Sequence, residues 1–115
     1  MRGEGFMELQ LALDLVNIPE AKQLVKEVEE YVDIVEIGTP VIINEGLRAV
    51  KEIKQEFPHL KVLADLKIMD AAAYEVMKAS EAGADIITIL GVAEDLSIKG
   101  AVKKLKNKAK KYWWT

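Results

Sequence analysis

The sequence has no cysteine, which rules out a disulfide framework, a thiolate nucleophile and a cysteine-ligated metal, and is in keeping with a cytoplasmic protein. Long apolar runs are missing too. None approaches the roughly 18 residues of a membrane span, and residues 1–6 contain nothing like the apolar centre of a signal peptide. Positive charge is not concentrated in a stripe: 16 Lys and Arg stand against 19 Asp and Glu, a formal net charge of -3. Such a balance points away from nucleic acid.

What remains is the composition of a soluble globular domain, 50% hydrophobic and 30% charged over 115 residues, with room for one domain. Short β-branched runs alternate four times with stretches whose apolar residues recur at three- and four-residue spacing. Strands are expected at residues 9–15, 33–38, 61–67 and 85–90, and helices at 19–31, 44–57, 72–82 and 96–111. A unit of about 25 residues suits right-handed βα crossovers, so the sheet should be parallel. Asn17 can cap a helix with Pro19 in its first turn, Phe57-Pro58 closes the second helix, and Gly83 stands where a C-cap glycine belongs.

Consecutive βα units can close as a barrel or stay open as a doubly wound sheet, and the polar residues separate the two. Strand side chains alternate faces, which places Asp14 with Ala12 and Gln10, Glu36 with Ile34, and Asp65 with Leu63 and Lys67. Three strands thus carry ionisable groups near their C-terminal ends on one face. In a parallel sheet buried on both sides such groups are expensive unless paired or bound to something, and the C-terminal rim is where barrel enzymes keep their sites. A lysine among carboxylates keeps its proton and suits donation to a developing oxyanion, while Glu36 and Asp65 offer hard oxygens for Mg2+.

The run Asp65-Leu66-Lys67-Ile68-Met69-Asp70 resembles the Asp-x-Lys-x-x-Asp motif of the orotidine monophosphate decarboxylase suprafamily. Residues 9–14 (Leu-Gln-Leu-Ala-Leu-Asp), 35–40 (Val-Glu-Ile-Gly-Thr-Pro) and 61–65 (Lys-Val-Leu-Ala-Asp) look more like its hexulose phosphate synthases than its ketogulonate phosphate decarboxylases. The resemblance runs from Met7 to about Lys111. It implies the first half of a TIM (β/α)8 barrel, four consecutive units with strand order 1-2-3-4. It also implies an aldehyde-lyase in which Mg2+ stabilises an enediolate of ribulose 5-phosphate that adds to formaldehyde. Carried over, Glu36 and Asp65 are the metal ligands, Asp14, Lys67 and Asp70 the catalytic groups, Asp14 and Lys67 also bind substrate, and Asp70 reaches the site of a neighbouring subunit. No phosphate-binding residue is assigned, because barrel phosphates bind after strands seven and eight.

Two features depart from the family. Ala72 and Ala73 stand where Gly-Gly is expected, and the resemblance covers four units instead of eight. Residues 1–6 read as an extension before a start at Met7, since Arg2-Gly3-Glu4-Gly5 can be encoded by nearly unbroken purines, as a ribosome-binding site is. Residues 112–115 read as a tail outside the family. Deleting one A from a coding of Lys-Lys-Ile-Leu-Val-Asp-Met yields Lys110-Lys111-Tyr112-Trp113-Trp114-Thr115 and a stop, so a frameshift is expected. Resequencing the locus for barrel sequence in the shifted frame tests it.

The remaining notable residues read as structural: His59 on the N-terminal side of the sheet, Met69 and Met77 as core filler, and Lys103, Lys104, Lys106, Lys108, Lys110 and Lys111 as a solvated helix end. Unpaired edges on the first and fourth strands, and an inward face carrying Ile34, Leu63, Ile86 and Leu90, predict self-association as a homodimer or higher homo-oligomer. The alternative to an enzyme is a non-catalytic half-barrel module that assembles with itself.

Overall fold

The structure, a computed structural model, describes residues 7–107 and the backbone of 111–114. Ten elements follow in order: β1 (Gln10–Leu13), α1 (Ile18–Val28), β2 (Ile34–Ile37), α2 (Thr39–Glu45), α3 (Arg48–Glu56), β3 (Lys61–Ile68), α4 (Ala72–Ala82), β4 (Ile86–Ile89), α5 (Asp95–Asn107) and β5 (Lys111–Trp114). All neighbouring strands are parallel and the order is β1-β2-β3-β4-β5. The four expected units are therefore present in sequence order, with no reversal.

Local chemistry sets the helix ends. The Asn17 side chain accepts from the Glu20 amide at 2.9 Å and donates to the Glu20 carboxylate at 2.7 Å, a reciprocal cap for α1. Gly83 closes α4 in the left-handed region (φ 107), the conformation glycine adopts without steric cost. The long second helix expected at 44–57 is instead two, α2 and α3, because Gly46 (φ 72) ends the first and the chain restarts at Leu47. The last helix is described as far as Asn107, and Lys111, the expected end of that helix, belongs instead to β5.

The fifth strand was not anticipated. An open β4 edge exposes a row of unpaired backbone groups, and residues 111–114, rich in strand-favouring aromatics, pair along it from Ile86↔Lys111 to Ile89↔Trp114. The expectation of a bare fourth edge is thereby corrected, and β5 takes its place as the outer strand. Residues 1–6, 108–110 and 115 lie outside the described residues, and with them the expected N-terminal extension.

The main core lies between one face of the sheet and the helices. Leu13, Val35, Ile37, Val62, Ala64, Ile87 and Ile89 from the strands meet Ile18, Ala21 and Val25 of α1, Val50 and Ile53 of α3, Val76 and Ala79 of α4, and Ala101 and Leu105 of α5. On the other face Ile34, Leu63 and Ile86 form a second, smaller cluster, each at most 3% exposed. That corrects a second expectation: these side chains are shielded within the chain, because adjacent strands bring them into mutual contact. Met69 departs the other way. It lies in the loop beyond β3 and is 47% exposed, so it fills no core. Among the described residues no helix is long and apolar enough to cross a membrane.

Candidate active site

The inward face changes character along the strands. Beyond Ile34, Leu63 and Ile86 the next inward positions are Glu36, Asp65 and Thr88, and Gln10 donates to the Glu36 carboxylate from β1 at 2.8 Å. Asp14 follows β1 and is exposed. Its carboxylate folds over Gly38, where a Cβ would come within 2.1 Å of its Oδ1 and 2.5 Å of the Leu13 carbonyl. Glycine at 38 is thus what lets this carboxylate lie against β2.

Asp65 is the buried centre, 8% exposed. It accepts from the Lys67 ammonium in a short ion pair and from the Thr88 hydroxyl at 2.9 Å, and the Thr39 hydroxyl lies 3.2 Å from its Oδ2. Burial pushes its carboxyl up, but the Lys67 and Thr88 hydrogen bonds, the Lys67 charge and Thr39 together outweigh burial and hold it below the usual range. Glu36 goes the opposite way. Burial raises its pKa, the Gln10 hydrogen bond opposes this, and the nearby charges of Asp65 and Asp14 raise it further.

Asp14, Glu36, Asp65 and Lys67 therefore converge as expected: Asp65 pairs with the Lys67 ammonium, and Glu36 lies close enough to Asp65 and Asp14 to feel both charges. Asp70 does not join them: it is exposed beyond β3, and its charge acts on Glu75, whose carboxyl is raised first by burial and then by Asp70. The Gly-Gly departure falls at the start of α4, where Ala72 is buried and Ala73 exposed; the strained residue is the preceding Ala71, at φ 49. Beside the cluster, Asp14, Leu15, Val16, Asn17, Pro40 and Asn44 line a shallow cleft of about 320 Å3. Sequence reasoning missed Thr39 and Thr88. The available signal was a lone hydroxyl at the inward parity of Ile86-Ile87-Thr88-Ile89, an otherwise wholly apolar strand.

Among the described residues no group of three or more His, Cys, Asp and Glu side chains is arranged to hold a metal ion. Mg2+ does not require one, since it is commonly held by one or two carboxylates with water and substrate completing the shell. Glu36 and Asp65 supply hard oxygens, and Glu36, raised first by burial and then by the charges of Asp65 and Asp14, is a carboxylate whose charged form a divalent cation would favour. The donor set fits Mg2+ in that sense.

His59 sits at the opposite end of the strands, its Nε2 3.1 Å from Glu29 and its ring edge-on to Phe57. Lys104 and Lys106 lie in the last turn of α5, while Lys108 and Lys110 fall outside the described residues.

Residues 7–113 match the sequence profile of the orotidine 5'-phosphate decarboxylase / HUMPS family, a span that takes in Tyr112 and Trp113. The chain is 77% identical over 105 residues to a 3-hexulose-6-phosphate synthase of Bacillus subtilis, covering 91% of this chain and 50% of that protein. It is 66% identical over 98 residues to one of Staphylococcus haemolyticus, covering 85% and 47%. A crystal structure of the Salmonella typhimurium 3-hexulose-6-phosphate synthase superposes with a TM-score of 0.92 at 44% identity, over 94% of this chain and 51% of that one. The fold is thus half of a TIM barrel. The chain spans about half the length of the curated relatives it matches.

Proposed function

Because this chain belongs to the orotidine 5'-phosphate decarboxylase / HUMPS family, we propose that it carries the carbonyl-activating half of a 3-hexulose-6-phosphate synthase site, an aldehyde-lyase centre joining formaldehyde to ribulose 5-phosphate. The observation that carries this reading is the cluster at the C-terminal ends of the strands, where Asp65 pairs with Lys67 and Glu36 stands beside Asp65 and Asp14.

Glu36 and Asp65 are the residues to hold Mg2+. When bound, the ion supplies positive charge to substrate oxygens next to the reacting carbon. Lys67, fixed by Asp65 and by the Thr39 hydroxyl at 2.9 Å, presents its ammonium to an oxygen that gains negative charge. Asp14, exposed at the mouth, orients a substrate hydroxyl. Asp70 points its role outward, toward the site of a second subunit.

The phosphate of such a substrate needs residues that this half does not supply, and remote binding energy normally supports the chemical step as well as affinity. Turnover by this chain alone is therefore expected to be far below that of its full-length relatives. The direct test is formaldehyde-dependent consumption of ribulose 5-phosphate, run with a Mg2+ titration of the chain and its Glu36→Ala variant. Turnover equal to a full-length relative refutes the half-site reading, and equal Mg2+ binding by both proteins refutes the assignment of Glu36.

A self-associating module is the second reading, favoured by the apolar residues left exposed on the loops after the strands and on the helices they lead into. Leu15 is 89% exposed, Ile43, Val92 and Leu96 80% each, and Tyr74 60%. Covering them in a homodimer is worth roughly 25 cal/mol per Å2 of apolar surface. Sedimentation as a monomer at tens of micromolar removes this reading.

A further inference from the structure

Ala64 lies opposite Ile87 and Ile68 opposite Ile89, so residues 65–67 of β3 all face the single residue Thr88 of β4. A bulge of this kind takes backbone groups out of the ladder, and a buried N–H left without a partner is costly. Lys67 also has φ 48, a conformation that a residue with a side chain adopts only when its surroundings impose it.

Thr88 supplies what the ladder lost. Its hydroxyl, on a side chain only 4% exposed, accepts from the Lys67 backbone N–H at 2.9 Å and donates to Asp65 Oδ1 at 2.9 Å. A hydroxyl has one proton and two lone pairs; the carboxylate takes the proton and the amide takes a lone pair, so neither bond can switch role. Asp65 Oδ1 is thereby fixed, and Oδ2 is the oxygen left facing the Lys67 ammonium. The Thr39 hydroxyl braces the same bulge from the other side, donating to the Asp65 carbonyl at 2.7 Å.

We propose that Thr88 is the positioning residue of this cluster: its one buried hydroxyl locks the Lys67 backbone and the Asp65 carboxylate into a single arrangement and so aims the Lys67 ammonium. Without it the chain keeps its sheet, but Lys67 relaxes out of the left-handed region and Asp65 turns. The plain alternative is that a β-branched residue merely suits a strand. Thr88→Val separates the two, because valine has the same shape and equal strand preference but no hydroxyl.

The test is residue-resolved amide hydrogen exchange on the 115-residue chain. In the unaltered protein the Lys67 amide should be protected like those of Ile87 and Ile89. In Thr88→Val its exchange should rise at least about tenfold, the loss of one hydrogen bond, with Ile87 and Ile89 unchanged. Thr88→Ser should restore protection. An unprotected Lys67 amide in the unaltered chain, equal protection in the valine variant, or a serine variant as exposed as the valine one each overturns the proposal, and the first needs no variant to fold. A Mg2+ titration on the same samples should show affinity about three- to tenfold weaker in Thr88→Val and near normal in Thr88→Ser. That arm rests on the carboxylate reading above. If the unaltered chain binds no Mg2+, that reading fails by itself and the Lys67 amide still decides the role of Thr88.

Discussion

The two ends of the parallel strands handle charge in opposite ways. At the N-terminal end every charge discussed has a partner. Lys54 reaches from α3 to Asp85 at 2.8 Å and to the Leu60 carbonyl at 2.8 Å, Asp85 also accepts from the Val62 amide at 2.9 Å, and Lys61 meets Glu8 at 3.0 Å. At the C-terminal end the Lys67 ammonium is paired with Asp65, and Glu36, with no cationic partner of its own among the described residues, has its pKa raised by burial first and then by Asp65 and Asp14. Paired charges hold strands and helices in place, whereas the unbalanced set spends stability on a polarised pocket. The prediction is that removing charge at one end weakens the protein and at the other end does not.

The largest effect is expected from Asp85→Ala. Both partners of this ion pair are only about one-quarter exposed, and the substitution leaves the Lys54 ammonium with carbonyl acceptors but no counter-charge and takes the side-chain acceptor from the Val62 amide. A loss of about 2–4 kcal/mol should appear as a lower urea midpoint with unchanged slope. Loss below about 1 kcal/mol would erase the contrast between the ends.

Next comes metal uptake at the other end. If Glu36 and Asp65 form the cation site, Glu36→Gln should weaken Mg2+ binding by about tenfold, roughly 1.4 kcal/mol, in a calorimetric titration. It is expected to cost no stability, which distinguishes it from any substitution at Asp85.

The pH dependence of stability follows from the same two carboxylates, with opposite signs. Glu36 has its pKa raised by folding, so the folded chain binds the extra proton and stability falls as pH rises through that interval. The penalty is complete above the folded pKa. Asp65 has its pKa lowered, so its contribution is present above the unfolded value and is lost as pH falls through the folded one. Chemical denaturation across pH 3–7 should therefore rise steeply at the acid end and then decline gently. Glu36→Gln should remove the decline and add at most about 1 kcal/mol at pH 7, since a half-buried group is partly screened by solvent. Stability that climbs monotonically in both proteins would count against the raised Glu36.

Much of this contrast is legible in the sequence, because it depends on strand parity. Glu36 and Asp65 fall at inward positions of their strands by period-two alternation, with Asp14 just past the end of β1 and Lys67 held by the bulge that follows Ala64. The positions of Asn17, Gly83 and Phe57-Pro58 mark helix ends by local chemistry that does not depend on the rest of the fold. What escapes is long-range or irregular. The bulge at residues 65–67 arises between two strands, so neither strand announces it, and with it Thr88 is overlooked. Gly46 falls inside the helix expected at 44–57 and is the break between two. The pairing of β5 with β4 depends on an edge that exists only once β4 is in place, and the shielding of Ile34, Leu63 and Ile86 depends on three separate strands.

The smallest effect is expected where pairing is present but burial is not. Lys61 and Glu8 are 3.0 Å apart, yet each side chain is 44% exposed. Water competes for both groups, salt screens what is left, and two flexible side chains lose freedom in holding one geometry. Lys61→Gln should therefore change stability by no more than about 0.5 kcal/mol, measured by the same urea unfolding used for Asp85→Ala. The two N-terminal pairs have nearly the same distance, so the comparison isolates burial and the extra backbone acceptors and donors at Lys54 and Asp85 as the source of strength. A Lys61→Gln loss as large as that of Asp85→Ala would mean that pairing alone, irrespective of burial, makes this end of the strands stable.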